Sequence, residues 1–303
     1  MWIRGCTFFD GEILDSLFSR FACSALLLIM KEIIENALLE DIGTGDITSN
    51  STIDKNATAS FVMRTREDIF VCGCEVAIAV FHAVDPDIKI QIINNDGKYI
   101  KEHEIILKGN GNARSILAAE RVALNLMQQM SAVATLTRKF VKAIDGTNAK
   151  ILDTRKTIPG LRNLQKIAVK TGGGENHRFG LYDAILIKDN HISVCGGIAK
   201  AINAVRENAP DGMVIEIECD TLEQVREALD AKADIILLDN MTNEQLCEAV
   251  ELAKYTDTKL EASGGVTLDT VADIAKTGVD YISSGALTHS AGNVDIGLDV
   301  VVE

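Results

Sequence analysis

The sequence predicts an α/β protein with two parts, an N-terminal mixed α+β region with several antiparallel strands and a C-terminal α/β barrel. Three observations lead there. After Lys150, short β-rich apolar runs alternate with helical stretches, the pattern of repeated βα units and a parallel sheet. The last four runs begin about 20 residues apart, the length of one such unit. Each run also ends in polar, charged or glycine residues. In an α/β barrel those ends converge on the face that carries the active site, whereas an open doubly wound sheet loads only its switch-point crevice.

Taken in order, Ile33, Ile34, Ala37 and Leu38 fall at helical spacing, so a helix is expected over 31–39, ending at the polar turn Glu40-Asp41-Ile42-Gly43-Thr44-Gly45-Asp46. Ala59–Arg64 and Ile69–Gly73 read as strands, Val76–Val84 as a helix, and Ile88–Ile93 as an alternating strand before the turn Asn95-Asp96-Gly97. Glu104–Lys108 is a further short strand. Ala113–Ala143 is a long helical region with an apolar face of Ile116, Ala119, Ala123, Leu126, Met127, Met130, Val133 and Ala134, and Ser131 is its candidate break. The six later strands are 150–153, 184–188, 214–218, 235–239, 259–263 and 281–284. Val294–Glu303 reads as a strand returning to the first domain. The expected organisation is an extension over 1–29, a mixed α+β domain over 30–140 joined by 290–303, and a barrel domain over 141–289. Val266 and Leu268 are expected to start the helix after the fifth barrel strand, and Ala286 the one after the sixth.

Residues 1–29 fit neither a membrane span nor a secretory signal. The apolar run Leu26–Met30 is far below the ~20 residues of a span. Asp10, Glu12 and Asp15 stand where a basic region should be. Met30 directly precedes the amphipathic pattern, so a start at Met30 is one expectation and a helix packing on the body is the other.

The chain of 303 residues carries 44 acidic and 30 basic side chains, a net charge of -14, which argues against nonspecific nucleic-acid or membrane-surface binding. Its seven cysteines, Cys6, Cys23, Cys72, Cys74, Cys195, Cys219 and Cys247, are an odd number without a CxxC pair. They read as free buried thiols of a cytoplasmic protein.

Against that acidic background, Lys150–His191 holds eight cations (Lys150, Arg155, Lys156, Arg162, Lys166, Lys170, Arg178, Lys188) and four acids (Asp153, Glu175, Asp183, Asp189), a local net charge of +4. Such an inversion suits a small polyanion, since arginine offers bidentate forks and lysine a point charge. A solvated helix face accounts for Lys166 and Lys170, but not for Arg155, Lys156 and Lys188 at strand ends. Gly172-Gly173-Gly174 before His177-Arg178 reads as a loop whose backbone N–H groups can approach an anion. It is not a P-loop, because GxxxxGK[ST] is absent. Glu218 and Asp239 end neighbouring strands, and paired carboxylates in a basic site suit Mg²⁺ or sugar hydroxyls. Ser263-Gly264-Gly265 and Ser284-Gly285 close the last two strands, where barrels often seat phosphate.

These stretches carry a resemblance. The segments Glu40–Thr48, Glu120–Asn125, Asp153–Arg162, Gly172–Arg178, Leu186–His191, Leu238–Asn240 and Ala262–Gly265, in that order over about residues 31–290, resemble the quinolinate phosphoribosyltransferases. Ser131-Ala132-Val133-Ala134-Thr135 departs modestly from the family's usual Ser-Gly-Ile-Ala-Thr. The resemblance implies transfer of phosphoribose from 5-phosphoribosyl-1-pyrophosphate to quinolinate with decarboxylation, giving nicotinate mononucleotide. It implies a fold of an N-terminal α+β sandwich domain plus a C-terminal open α/β barrel, and a homodimer, or a hexamer built from dimers, with Arg121 reaching into the partner's site. It implies that Arg155, His177, Arg178 and Lys188, with Lys156 nearby, bind quinolinate. It places Lys156, Ser263, Gly264, Gly285 and His289 on phosphates, and Glu218 and Asp239 on Mg²⁺ and the ribose hydroxyls. Lys156, Glu218 and Asp239 are the expected catalytic residues. Lys156 or Arg155 is the expected cation beside the carbanion left by decarboxylation.

Other readings remain open at this point. A related transferase could act on a monocarboxylate such as nicotinate, which would not need Arg121, Arg155, Arg178 and Lys188 together. A Schiff-base aldolase barrel would use Lys188 as nucleophile. A non-enzymatic binding module is the third, although six polar strand ends count against it.

Overall fold

The computed structural model describes the backbone of residues 18–301 and the side chains of residues 30–300. Residues 1–17 of the expected extension lie outside the described residues. From Phe18 the chain is already helical, and helix α1 runs over Phe18–Ile42, so it starts well before the 31–39 segment that the periodicity marks. Two compact units follow, one comprising residues 18–138, 157–173 and 289–301, the other 139–156 and 174–288.

The first unit contains α2 (Ile47–Thr52), β1 (Thr58–Thr65), β2 (Ile69–Phe70), α3 (Cys74–Val84), β3 (Lys89–Ile92), β4 (Tyr99–Ile100), β5 (Ile105–Asn112) and most of α4 (Ala113–Ala143). Asp46 caps α2 by accepting the Ser49 N–H at 2.9 Å, an element the turn-like sequence conceals. A four-stranded sheet has the order β12-β1-β5-β3, where β12 is Ile296–Val301, antiparallel to β1. Alternation along β1 buries Ala59, Phe61, Met63 and Thr65. Phe61 stacks on Phe81 of α3 with ring centroids 4.8 Å apart. Gly109 lies opposite Phe61 in the ladder, and an added Cβ there would stand 2.5 Å from the Phe61 ring and 2.8 Å from Lys89 O, so only glycine fits. The Asp96 carboxylate accepts the N–H groups of Gly73 and Cys74 at 2.8 and 2.9 Å, which satisfies the N-terminus of α3.

Helix α4 is unbroken. Ser131 is fully buried within it, and its hydroxyl donates to Cys72 O and accepts from Cys72 N, so the residue ties two segments together rather than ending the helix. Helix α5 (Arg162–Thr171) belongs to this first unit, although the sequence places 157–173 in the barrel domain. Its amphipathic face explains the shift. Leu164, Gln165, Ala168 and Val169 are buried, and an added Cβ on Gly172 would meet Ala134 O at 2.6 Å and Thr137 at 2.7 Å. Lys166 is buried too, at 2% exposure, which corrects its reading as a solvated cation; Lys170 is exposed as expected.

The second unit holds six parallel strands, β6 (Lys150–Leu152), β7 (Ile185–Ile187), β8 (Ile215–Cys219), β9 (Ile235–Asp239), β10 (Lys259–Ser263) and β11 (Tyr281–Ser283), in the order β6-β11-β10-β9-β8-β7. Among the described residues β6 and β7 do not pair with each other, so the barrel is open. Glu175 bridges to Leu152 along the outer edge of β6. Helices α6 (Asp189–Cys195), α7 (Ile198–Asn208), α8 (Leu222–Asp230), α9 (Asn243–Ala253), α10 (Val271–Lys276) and α11 (Ala286–His289) alternate with the strands. Thr221 with Gln224 and Thr242 with Gln245 form capping boxes that start α8 and α9. Helix α10 begins at Val271, not at Val266, because residues 264–270 form a turn in which Thr267 N and Thr270 Oγ1 bond at 3.0 Å.

Cys72, Cys74 and Cys219 are buried thiols, as the odd count suggests, but Cys195 and Cys247 are exposed. No helix among the described residues is long and apolar enough to cross a membrane.

Candidate active site

Period-2 alternation divides each barrel strand into two faces. On β8, Ile215, Ile217 and Cys219 take one face and Glu216 and Glu218 the other. On β10 the register sets Glu261 beside Leu237 and Ser263 beside Asp239. The chemistry-bearing residues of the second unit therefore collect at the C-terminal ends of its strands.

The Lys188 ammonium, at the end of β7, donates a short hydrogen bond to Glu218 Oε2 at the end of β8. The Lys188 N–H donates to His191 Nδ1 at 2.9 Å, which fixes the turn into α6. Asp239 Oδ2 accepts from Asn240 Nδ2 at 2.7 Å. Asn240 takes a left-handed φ of 54°, and its N–H donates to Ser263 O at 2.9 Å. Its side chain fills the space beside Gly264, whose φ of +91° is also left-handed. A side chain at Gly264 would be strained and would strike Asn240. Asp239, Asn240 and the Ser263-Gly264-Gly265 turn thus form one packed group. In the next loop, Ser284 Oγ donates to Val266 O at 3.0 Å.

Lys156 is exposed, but its backbone is held at both ends. Its N–H donates to Thr154 Oγ1 at 3.0 Å, and its carbonyl accepts from Thr288 Oγ1 at 2.8 Å. Thr288, buried to 1% exposure, also bonds Gly285 O at 3.2 Å. The Asp153-Thr154-Arg155-Lys156 loop is therefore anchored beside the last barrel loop.

The three glycines before His177 do different work from that expected. The N–H groups of Gly172 and Gly173 donate to Ala168 O and Lys170 O, closing α5, and so are not offered to an anion. The following segment runs along β6, with Glu175 N–H on Ile151 O at 2.8 Å. This delivers His177 and Arg178 to the strand ends. The His177 N–H donates to Asp153 Oδ1 at 2.9 Å. Burial, and then the neighbouring Arg155, lower the Arg178 guanidinium from its ordinary value, opposed by Glu216 and Asp183. A partly buried guanidinium with a second arginine among its neighbours suits a negatively charged ligand.

Beneath them lie two acids that the strand-end reasoning passes over. Glu216 and Glu261 are buried at 5% and 1% exposure, and with His177 their ligating atoms lie within 4.8 Å of one another. Burial, and then the Glu216 carboxylate, push the Glu261 carboxyl up to about 8. Their signal in the sequence is a single acid inside an apolar strand run, Ile215-Glu216-Ile217 and Leu260-Glu261-Ala262.

Arg155, Lys156, His177, Arg178, Lys188, Glu218, Asp239, Ser263, Gly264 and Gly285 all belong to this second unit, whereas Arg121 and His289 belong to the first. Arg121 is exposed on α4. His289 is exposed, and its Nδ1 lies 2.6 Å from Ser290 Oγ.

The family models for the N-terminal and C-terminal domains of quinolinate phosphoribosyl transferase match residues 46–131 and 133–299. The chain belongs to the quinolinate phosphoribosyltransferase family. A probable nicotinate-nucleotide pyrophosphorylase (carboxylating) of Bacillus subtilis (strain 168) is 43% identical over 275 residues, covering 91% of this chain and 94% of the relative. Its counterpart in Methanocaldococcus jannaschii is 42% identical over 278 residues, covering 89% and 96%. Among solved structures, the crystal structure of nicotinate-nucleotide pyrophosphorylase from Ehrlichia chaffeensis superposes with a TM-score of 0.86 at 45% identity, covering 89% of this chain and 98% of that one. The motifs that carry the resemblance thus lie within a family relationship spanning both domains.

Proposed function

We infer that this chain transfers phosphoribose from 5-phosphoribosyl-1-pyrophosphate to quinolinate with loss of carbon dioxide, giving nicotinate mononucleotide and pyrophosphate in de novo NAD biosynthesis. The family match over both domains carries this reading, and the neighbouring arginines Arg155 and Arg178 support the dicarboxylate. Quinolinate brings two negative charges and the donor several more. At an effective dielectric of ~20 a unit charge pair at 4 Å is worth roughly 4 kcal/mol before desolvation, so several cations are needed to hold both anions.

Arg155, Arg178, Lys188 and Lys156 supply those cations, with His177 behind them. Ser263, Gly264 and Gly285 face the donor phosphates at the last two strand ends, with His289 as a further phosphate contact. Arg121 completes the acceptor site of a partner subunit in a homodimer, which can assemble further into a hexamer. The C1–oxygen bond to pyrophosphate breaks as the quinolinate ring nitrogen bonds to C1, and the positive charge that develops on the ribose is stabilised by Glu218 and Asp239. The bond from ring carbon 2 to its carboxylate then breaks. Its electron pair stays on carbon 2, where Lys156 or Arg155 stabilises it until a proton arrives.

Glu218 and Asp239 offer hard carboxylate oxygens at neighbouring strand ends, a donor set that fits Mg²⁺ shared with substrate phosphates. When bound there, Mg²⁺ neutralises charge on the departing pyrophosphate. A cytoplasmic location suits the free thiols.

An assay with quinolinate, 5-phosphoribosyl-1-pyrophosphate and magnesium, following pyrophosphate and carbon dioxide together, tests the reading. Equal release of both is expected. Pyrophosphate without carbon dioxide, or turnover of nicotinate in place of quinolinate, overturns it. The Lys156→Ala variant tests the decarboxylation step: a nucleotide that keeps both carboxylates supports Lys156, and loss of phosphoribose transfer alone removes it.

A further inference from the structure

We propose that Glu216 and Glu261 are positioning residues for the acceptor site, acting through the His177 ring on Arg178. The inference rests on the acceptor reading above. Its starting point is a connection that runs from the barrel interior to the cation cluster. His177 Nδ1 accepts the backbone N–H of Arg178 at 2.7 Å, which places the ring proton on Nε2. That nitrogen lies 3.0 Å from Glu216 Oε2 and 3.3 Å from Oε1, and 3.7 Å from Glu261 Oε2. Both ring nitrogens are thus engaged within the protein, and a substrate carboxylate would have to displace one of these partners to reach the ring. His177 acts as a strut between a buried carboxylate and the Arg178 backbone, not as a hand on the substrate.

The rest of the His177-Arg178 segment is held in the same manner. Its first N–H sits on the fully buried Asp153, its Arg178 guanidinium bonds Ala184 O at 3.4 Å, and Glu216 opposes the repulsion from Arg155. Two glutamates inside a barrel core are costly where packing alone is at stake, because an apolar side chain of similar volume would serve better. Their presence is accounted for if one of them, Glu216, is the anchor whose Oε2, 3.0 Å from Nε2, orients the ring. Glu261, 3.7 Å from the same nitrogen, closes the other side of the ring. An imidazole and two carboxylates are also a metal donor set, but a proton on Nε2 facing Glu216 occupies the lone pair a metal would need.

This division of labour makes the two acids unequal, which a general structural role would not. In Glu216→Gln the KM for quinolinate should rise about tenfold or more, the loss expected for one charge-assisted hydrogen bond. The KM for 5-phosphoribosyl-1-pyrophosphate should stay within about twofold. Glu261→Gln, which keeps the shape of a side chain that stands beyond hydrogen-bond distance of the ring, should stay within about threefold of wild type in both constants. Glu261→Leu should raise the quinolinate KM as Glu216→Gln does. Titration calorimetry of quinolinate alone onto each variant gives the same comparison without turnover, and thermal melting checks that each variant is folded. If Glu216→Gln does not fold, the Glu261→Gln and Glu261→Leu pair still decides the matter. An unchanged quinolinate KM in Glu216→Gln or in Glu261→Leu overturns the inference, as does an equal rise for both substrates. So does a divalent metal that purified wild-type protein retains and Glu216→Gln loses. Wild-type protein that makes no nicotinate mononucleotide overturns the functional reading itself, whereas active wild type with unresponsive variants overturns this inference alone.

Discussion

The two sheets use their buried faces for opposite purposes. In the antiparallel sheet, β1 turns Ala59, Phe61 and Met63 inward, and β5 adds Ile106 and Leu107, all nearly inaccessible to solvent. In the parallel sheet, the equivalent alternation on β8, β9 and β10 yields Glu216, Glu218, Asp239, Glu261 and Ser263. Only the other face of those strands, with Ile217, Ile236, Leu238, Leu260 and Ala262, is an ordinary apolar core. One sheet holds itself together through its interior. The other leaves its stability to the helix-facing side and frees its interior for charge. Stability and chemistry should therefore respond to different substitutions in the two units.

The largest separation is expected at Phe61. Its ring is buried and stacked on Phe81, so Phe61→Ala should cost about 3–5 kcal/mol in a denaturant melt. Any folded fraction should keep an unaltered KM for both substrates. The converse is Asp239→Asn. The carboxylate is partly exposed and its amide isostere can keep the Asn240 contact, so the melting curve should hardly move, while kcat falls by roughly 10²–10³. Equal losses of stability and rate in either variant would break the contrast. Gly264→Ala should affect both readouts, because φ of +91° and the adjacent Asn240 oppose any side chain; a cost of about 1–3 kcal/mol should accompany a raised KM for the pyrophosphate donor.

A pH series sharpens the comparison further. Glu261 is an ordinary carboxyl near 4.5 when unfolded and is raised to about 8 in the folded chain. Between those values the folded protein keeps a proton that the unfolded chain has released. That contribution is fully present below 4.5 and is lost as the pH rises through about 8. The midpoint of unfolding should fall across this window in wild type and less steeply in Glu261→Gln; parallel curves would remove the buried charge from the barrel interior. The smallest effect is expected at Thr288→Val, which deletes the hydroxyl on Lys156 O and should cost about 1 kcal/mol, with a modest drop in kcat.

Much of this architecture was legible in the residues. The six parallel strands and the long α4 stand where apolar periodicity puts them, since alternation and helical spacing are local properties of the chain. The strand-end residues Lys188, Glu218, Asp239 and Ser263 were legible for the same reason: a strand's last residues face the loops whatever packs around them. The turns of α1 before Lys31 were not, because the run Leu26–Met30 is apolar throughout and carries no helical period to mark them. The glycine run misled, because a turn that closes a helix and one that cradles an anion share the same glycines, and only the occupied N–H groups of Gly172 and Gly173 tell them apart.

By itself the sequence determined the two-part α/β organisation, the local reversal of charge within an acidic chain, and the family. These follow from composition, period and motif order, which need no contacts between distant residues. Tertiary structure alone decided that α5 and Lys166 are buried in the first unit. It also decided that Asn240 locks Asp239 to the Gly264 turn, and that His177 stands between Arg178 and two buried glutamates. Each of those depends on residues 24 or more positions apart meeting across strands or helices, as the His177 and Glu216 side chains do. A hydrogen bond of that kind is set by the packing of the sheet, because directional contacts of about 3 Å exist only once the strands that carry them have been brought into register.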